Sequence, residues 1–220
     1  MGAKDQPEQT AAGLRFFGVV TASVSHELNN VNSTIEQIAG LLEDHLTALA
    51  SGHEPDPARL QSVHERIRLQ TRRAAGIIER LNRFAHTTDD PRTRFELHTL
   101  LENLVGLCQR LAQQRRVELR TVDRGEELWS EGDPFLLART IFDGLEWLWK
   151  SASPGSVIEA AAFQEGEQGV IQLSGPLPAS PENGPPPEST GEAPCPHGPA
   201  ECVISGDRRI ITIAVPFGLE

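Results

Sequence analysis

The stretch that decides the fold is Val24-Ser25-His26-Glu27-Leu28-Asn29-Asn30-Val31-Asn32-Ser33-Thr34-Ile35, continued by Ile38 and Leu42. Its apolar residues fall alternately four and three apart: Val24, Leu28, Val31, Ile35, Ile38, Leu42. A period near 3.5 marks the packing seam of a helix in a bundle or coiled coil. His45 and Leu49 take the next seam positions. A helix from about Ala11 to Leu49 would run roughly 55–60 Å at about 1.5 Å per residue. Outward from it, Ala50-Ser51-Gly52-His53-Glu54-Pro55-Asp56-Pro57 is a break with one Gly and two Pro. A second seam follows, from about Pro57 to Thr87: Leu60, Val63, Ile67, Gln70, Ala74, Ile77, Leu81, Phe84. So short a connection makes the two helices antiparallel neighbours. Two helices bury such seams poorly by themselves, and a symmetric dimer closing a four-helix bundle is the economical solution. A hairpin packed on its own C-terminal half is the alternative.

At about 100° per residue, His26 lies about 200° from Val24, nearly opposite the seam. Ala22, Asn29, Asn30 and Ser33 share that outer half, with Asn30 one turn beyond His26 and Glu27 on the flank. An exposed neutral imidazole is a nucleophile able to carry a phosphoryl group. A neighbouring carboxylate can take up its proton and fix its tautomer, and an amide at i+4 can orient a water. His64-Glu65 serves as an internal control: it flanks its seam and has Arg68 at the fourth place. On the residues alone, an ordinary solvated helix face accounts for His26, Glu27 and Asn30 at least as well.

Ser25-His26-Glu27-Leu28-Asn29-Asn30, set between Phe16-Phe17 and Asn32-Ser33-Thr34-Ile35, resembles the H-box of bacterial sensor histidine kinases, on the first helix of their dimerisation and phosphotransfer domain. Ile77-Ile78-Glu79-Arg80-Leu81-Asn82-Arg83-Phe84-Ala85 resembles that domain's second helix. The resemblance implies that His26 is the phosphoryl carrier, Glu27 its proton acceptor and Asn30 the residue that positions water. Many family members have Pro after the matching Asn; Val31 stands here, which predicts a weaker kink or none.

The rest resembles the family's ATP-binding domain in outline. Phe95-Glu96-Leu97, a helical run at 97–114 and Val117-Glu118-Leu119 follow the order of its first elements, and Gly132-Asp133-Pro134-Phe135-Leu136-Leu137 resembles the entry to its N-box helix. Asp143 and Trp147 occupy the places of its two nucleotide-facing Asn, and only Lys150 matches. No Asp-x-Gly-x-Gly run follows. The lid region is Pro-rich, with nine of the chain's 16 prolines between residues 175 and 200. Proline removes the backbone N–H groups that cradle phosphates. Helical texture recurs at 133–152 and β texture at 117–122, 157–163, 170–174 and 209–215.

The predicted fold is therefore α+β: a long antiparallel helical hairpin forming a dimeric four-helix bundle, then a degenerate histidine-kinase-type α/β sandwich. Residues 1–10 read as a flexible tail, 11–90 as the hairpin of dimerisation and histidine phosphotransfer, and 91–220 as the degenerate ATPase-like domain with a Pro-rich loop at 175–206. The predicted function is a histidine phosphotransfer protein of a two-component phosphorelay, passing phosphoryl groups between receiver aspartates without ATP-dependent autokinase activity. The alternatives are a non-catalytic adaptor that binds receivers or kinases, and a divergent active histidine kinase. The expected partners are response-regulator receiver domains and a second copy of the chain. No cofactor is expected on the chain, Mg²⁺ arriving with the receiver.

Composition bounds the other classes. In 220 residues, 20 Lys and Arg face 31 Asp and Glu, a net charge of −11. That argues against sequence-independent nucleic-acid binding and against an anionic membrane surface. No apolar run approaches the roughly 20 residues of a spanning helix. The first residues lack a secretory apolar stretch, and Cys108, Cys195 and Cys202 are an odd, sparse set, so the expected compartment is the cytoplasm. Cys195, His197 and Cys202 could supply three zinc ligands, but a fourth is not evident. The second helix is basic, and its arginines are expected to pair with acids of the first helix or with solvent, an acidic partner being the minority reading. Trp129, Trp147 and Trp149 are expected in the core.

Overall fold

The seam residues place two helices against each other along most of their length. In the computed structural model, which describes residues 5–54, 56–125, 127–176, 200–205 and 208–216, α1 spans Asp5–Ala50 and α2 spans Pro57–His86. α2 starts at Pro57 because Asp56 caps it, accepting from the N–H groups of Ala58 and Arg59 at 3.0 and 3.3 Å, and proline at the first position has no N–H to leave unpaired. Phe17 stacks on Phe84 and Glu27 meets Arg73, so the sequence numbers rise along one helix as they fall along the other. Val24, Val31 and Ile38 are buried with Val63, Ile77 and Phe84. Leu28, Ile35, Leu42, Leu49, Leu60, Ile67, Ala74 and Leu81 are only half-buried. α1 runs unbroken through Val31, which is buried in the seam, as the missing proline predicts.

The second half is a two-layer arrangement. Its elements are β1 (Thr93–Glu96), α3 (Leu97–Gln113), β2 (Glu118–Val122), β3 (Trp129–Gly132), α4 (Pro134–Ser151), β4 (Val157–Glu165), β5 (Gln168–Pro176), β6 (Ala200–Ser205) and β7 (Arg208–Pro216). β1 and β3 form an antiparallel ribbon. The main sheet has the order β2-β4-β5-β7-β6, with β2 and β4 parallel and the rest antiparallel. α3 and α4 cover one face, burying Leu101, Leu104, Ile141, Leu145 and Leu148 with Ile158, Ile171, Leu173 and Ile211. Gly144 lets α4 approach closely: a Cβ there would sit 2.8 Å from Leu173 Cδ1. The architecture is α+β with four helices and a mixed sheet among the described residues.

The base of the hairpin is seated on α3 and α4 by an aromatic cluster. Phe16 lies 5.2 Å from Phe84, 5.4 Å from Phe135 and 4.9 Å from Phe142, centroid to centroid. Phe142 meets Trp149 edge-on. Asn103 donates to the Arg80 carbonyl at 3.2 Å, tying α3 to α2.

Three sequence expectations need correction. Residues 5–10, read as tail, belong to α1, because Pro7 falls in a first turn where proline is tolerated and nothing after it breaks a helix. The loop read at 175–206 is shorter: β5 extends to Pro176, and Ala200–Ser205 pairs with β7 as β6, since Cys202-Val203-Ile204 has β-prone composition. Residues 177–199 lie outside the described residues, as do Cys195 and His197 of the zinc reading and the side chain of Cys202. Trp129 is 43% exposed and sits under the Arg94 guanidinium, so it is not core.

Candidate functional site

His26 sits near the middle of α1 on the side away from buried Val24 and Val31, and its ring is exposed. The face around it is kept open by local chemistry. Thr21 Oγ1 donates to the Phe17 carbonyl at 2.8 Å, Ser25 Oγ to the Thr21 carbonyl at 2.9 Å and Thr34 Oγ1 to the Asn30 carbonyl at 2.8 Å. These hydroxyls are turned back onto their own helix. Among the described residues, the His26 imidazole and Asn30 amide make no hydrogen bond, and both are solvent-facing.

Glu27 points toward α2 instead. Arg73 Nη2 donates to Glu27 Oε1 at 2.9 Å, and the two side chains are 57% and 23% exposed. The carboxylate beside His26 is thus anchored through one oxygen, which leaves lone pairs on the other to meet an imidazole N–H. The three sequence-predicted residues share one stretch of α1, with His26 and Asn30 outward and Glu27 on the flank. Arg73 is the residue that sequence reasoning did not single out. It stood among seven α2 arginines, and only the register between the helices selects it. His64 is exposed as well, but its neighbour Glu65 is held by Gln61 Nε2 at 2.9 Å on its own helix.

The base of α1 borders the α4 face that the resemblance assigns to nucleotide. Asp143, Glu146, Trp147 and Lys150 line a cavity of about 340 Å³ together with Arg15, Phe16 and Val19. Arg139 lies 3.9 Å from Asp143, and Lys150 lies 3.0 Å from Glu146. Burial pushes the Asp143 carboxyl above its ordinary range, helped by Glu146 and opposed by Arg139, Arg15 and Lys150. The Arg209 guanidinium stacks 4.7 Å over the Trp147 ring while its Nη1 donates to Ser151 Oγ at 3.0 Å. Burial, with a further push from Glu146, also drives the Cys108 thiol far up and out of thiolate chemistry. Among the described residues, no group of three or more His, Cys, Asp or Glu is placed to hold a metal, and no helix is long and apolar enough to cross a membrane.

No family model matches the chain, and no curated relative does. Solved structures with similar folds include the catalytic domain of histidine kinase ThkA, at 11% identity and TM-score 0.46 over 59% of this chain and 99% of that one. A histidine kinase from Burkholderia phymatum aligns at 16% identity and TM-score 0.46, over 86% of this chain and 99% of that one. Histidine kinase ThkA in complex with response regulator protein TrrA aligns at 15% identity and TM-score 0.47, over 93% of this chain and 63% of that one.

Proposed function

We propose that the chain is a dimeric histidine phosphotransfer protein that exchanges phosphoryl groups between His26 and receiver-domain aspartates, with no ATP-dependent kinase step of its own. The observation that carries this reading is an exposed imidazole on a helix fixed from its opposite side, next to a carboxylate anchored by Arg73. A lone pair on one ring nitrogen attacks the phosphorus of an aspartyl phosphate, forming an N–P bond. The P–O bond breaks and its electron pair returns to the aspartate carboxylate. The proton on the other ring nitrogen is shared with Glu27, which stabilises the charge that develops on the ring. The reverse sequence delivers the group to a second receiver, and a Mg²⁺ held by that receiver would supply the charge that neutralises the phosphoryl oxygens. Asn30, exposed one turn on, would orient a water toward a docked acyl phosphate.

The absence of a kinase step is supported by Asp143 and Trp147 at the expected amide positions. The dimer is supported by the half-buried seam positions from Leu28 to Leu49 and from Leu60 to Leu81.

The test is transfer from pre-phosphorylated receivers to the purified chain. Wild type should take up acid-labile phosphate, His26→Ala none, and Glu27→Ala at a rate about 10²-fold lower, the scale of lost general-base help. Asn30→Ala should accept phosphate normally but slow its loss from the receiver. Uptake by His26→Ala, or its loss in His64→Ala instead, would refute the assignment and favour the adaptor reading. Labelling by γ-phosphate ATP would restore the kinase.

A further inference from the structure

The cavity between α1 and α4 has two walls of different chemistry, and nothing in the phosphotransfer reading uses it. At about 100° per residue, Asp143, Glu146, Trp147 and Lys150 fall within about 100° of arc on α4, and Arg15, Phe16 and Val19 within a similar arc on α1. The two stripes line the same space of about 340 Å³. Phe16 and Phe142 are both buried and lie 4.9 Å apart, centroid to centroid, so they join the walls. Their sequence neighbours Arg15 and Asp143 stand one on each wall.

The charges on these walls do not satisfy one another. Glu146 is met by Lys150 at 3.0 Å. Asp143 is served less well: Arg139 stands 3.9 Å away, and the carboxylate accepts no hydrogen bond among the described residues. Its side chain is only 26% exposed, and burial lifts its carboxyl above the ordinary range, as expected of a charge short of a partner. On the facing wall, Arg15 makes no hydrogen bond or ion pair among the described residues, yet its charge still favours the ionised Asp143. The two are near enough to attract and too far apart to pair. Between them the lining is apolar, from Phe16, Val19 and the half-buried Trp147.

We propose that this cavity binds a small zwitterion, an α-amino acid with a large apolar side chain. Its ammonium group lies against Asp143, its carboxylate against Arg15, and its side chain against Trp147 and Val19. A molecule of one charge fits less well. A simple cation also faces Arg15 and Arg139, and a simple anion also faces Asp143 and Glu146. A nucleoside triphosphate brings several negative charges to a wall that holds two carboxylates. The space is at the small end of ligand cavities, which run from about 300 to 1,000 Å³, and that suits one amino acid. Partial burial strengthens both charge-assisted contacts relative to water. Because α1 supplies one charge and α4 the other, an occupied cavity ties the base of the hairpin to the C-terminal half.

The test is calorimetry on the full chain with L-phenylalanine, L-leucine and L-tryptophan. Phenethylamine and 3-phenylpropionate serve as analogues of one charge each, and ATP with Mg²⁺ as the nucleotide arm. At least one of the amino acids should bind and raise Tm by mass action. Each single-charge analogue should bind about tenfold more weakly or worse, the scale of one lost charge-assisted hydrogen bond. Asp143→Asn should weaken the amino acid by a similar factor and leave 3-phenylpropionate no weaker. Arg15→Gln should weaken it likewise and leave phenethylamine no weaker. Both variants should fold, because Arg15 is exposed and Asp143→Asn removes an ionisation that burial opposes. Arg59→Gln, at the far end of the hairpin, should change nothing. No saturable binding of the three amino acids at about millimolar concentration would overturn the site. So would equal binding by the single-charge analogues, or affinity untouched by both variants. ATP binding more tightly than any amino acid, with the same dependence on Arg15, would return the face to nucleotide. Phosphate on His26 is not read in these experiments, so the site and the phosphotransfer reading stand or fall separately.

Discussion

Phe84 joins the hairpin to the rest of the molecule, and its removal should be read by two spectroscopic signals at once. The ring is buried, 5.2 Å from Phe16, 5.4 Å from Phe17 and 6.2 Å from Phe135. Truncating a buried phenylalanine to alanine costs about 3–5 kcal/mol, transfer and cavity together. Each aromatic pair accounts for about 0.5–1.5 kcal/mol, and the pairs are contained within that total. Against a domain stability of about 5–15 kcal/mol, Phe84→Ala should leave a folded but much weakened protein. Phe84→Leu keeps most of the volume and loses only the ring geometry, so it should cost less than about 1.5 kcal/mol. The assay is urea unfolding. All three tryptophans, at 129, 147 and 149, lie outside the hairpin, whereas α1 and α2 supply most of the helical circular dichroism. In wild type the two signals should move together. In Phe84→Ala the ellipticity should fall at lower urea than the tryptophan emission shifts, because the hairpin has lost its seat on Phe135 and Phe142. A loss below about 1 kcal/mol with coincident transitions would refute the view that this cluster couples the two halves.

The remaining expectations are smaller in scope. Leu28→Asp or Ile35→Asp puts a carboxylate into the half-buried seam and should yield a monomer by light scattering where wild type is a dimer; a wild-type monomer at tens of micromolar would end the four-helix proposal. The Asp143 carboxyl is raised in the folded state, so its ionisation opposes folding as pH climbs from about 4, the usual aspartate value. Asp143→Asn should therefore raise Tm at pH 7, with the gain vanishing near pH 3; an unchanged or lowered Tm at pH 7 contradicts the argument. For Glu96, burial opposes ionisation, but hydrogen bonds from Thr99, His98 and Leu128 outweigh it and hold the carboxyl below its ordinary range. That stabilisation is present above about pH 4.5 and disappears as pH falls through the lowered value, so the Tm gap between wild type and Glu96→Gln should close in acid.

The sequence revealed what is periodic and hid what is long-range. Val24, Val31, Ile38 and Ile77 announce themselves by spacing, and spacing alone turns His26 outward. The aromatic cluster has no such signature. Phe16 and Phe84 are 68 residues apart, and nothing local says that Phe135 and Phe142 meet them. β1 and β3 have four residues each, too few for alternation to register, and they exist because they pair. β6 was obscured by the prolines before it. Arg73 was visible as a charge but not as a neighbour of Glu27, because the offset between the helices is set by the connection at 51–56 and by the seating of Phe17 on Phe84. The same offset decides which arginines stay unpaired.

One helix therefore carries two roles that its geometry keeps apart. The side of α1 that holds Val24 and Val31 fixes the position of the backbone at His26. The side that holds His26 and Asn30 contributes almost no packing. Substitutions on the outer side should change stability by less than about 0.5 kcal/mol while removing the proposed phosphotransfer, and substitutions in the seam should do the reverse. Glu27 is the exception, because it lies between the two sides and is tied to Arg73. Exposed ion pairs contribute at most about 1 kcal/mol to folding, so the contact has little value as a brace. Its larger effect is orientational. It holds the Glu27 carboxylate on the flank of α1 next to the exposed His26. A brace could sit anywhere along the hairpin; only a pair at Glu27 fixes the carboxylate that follows His26 in sequence.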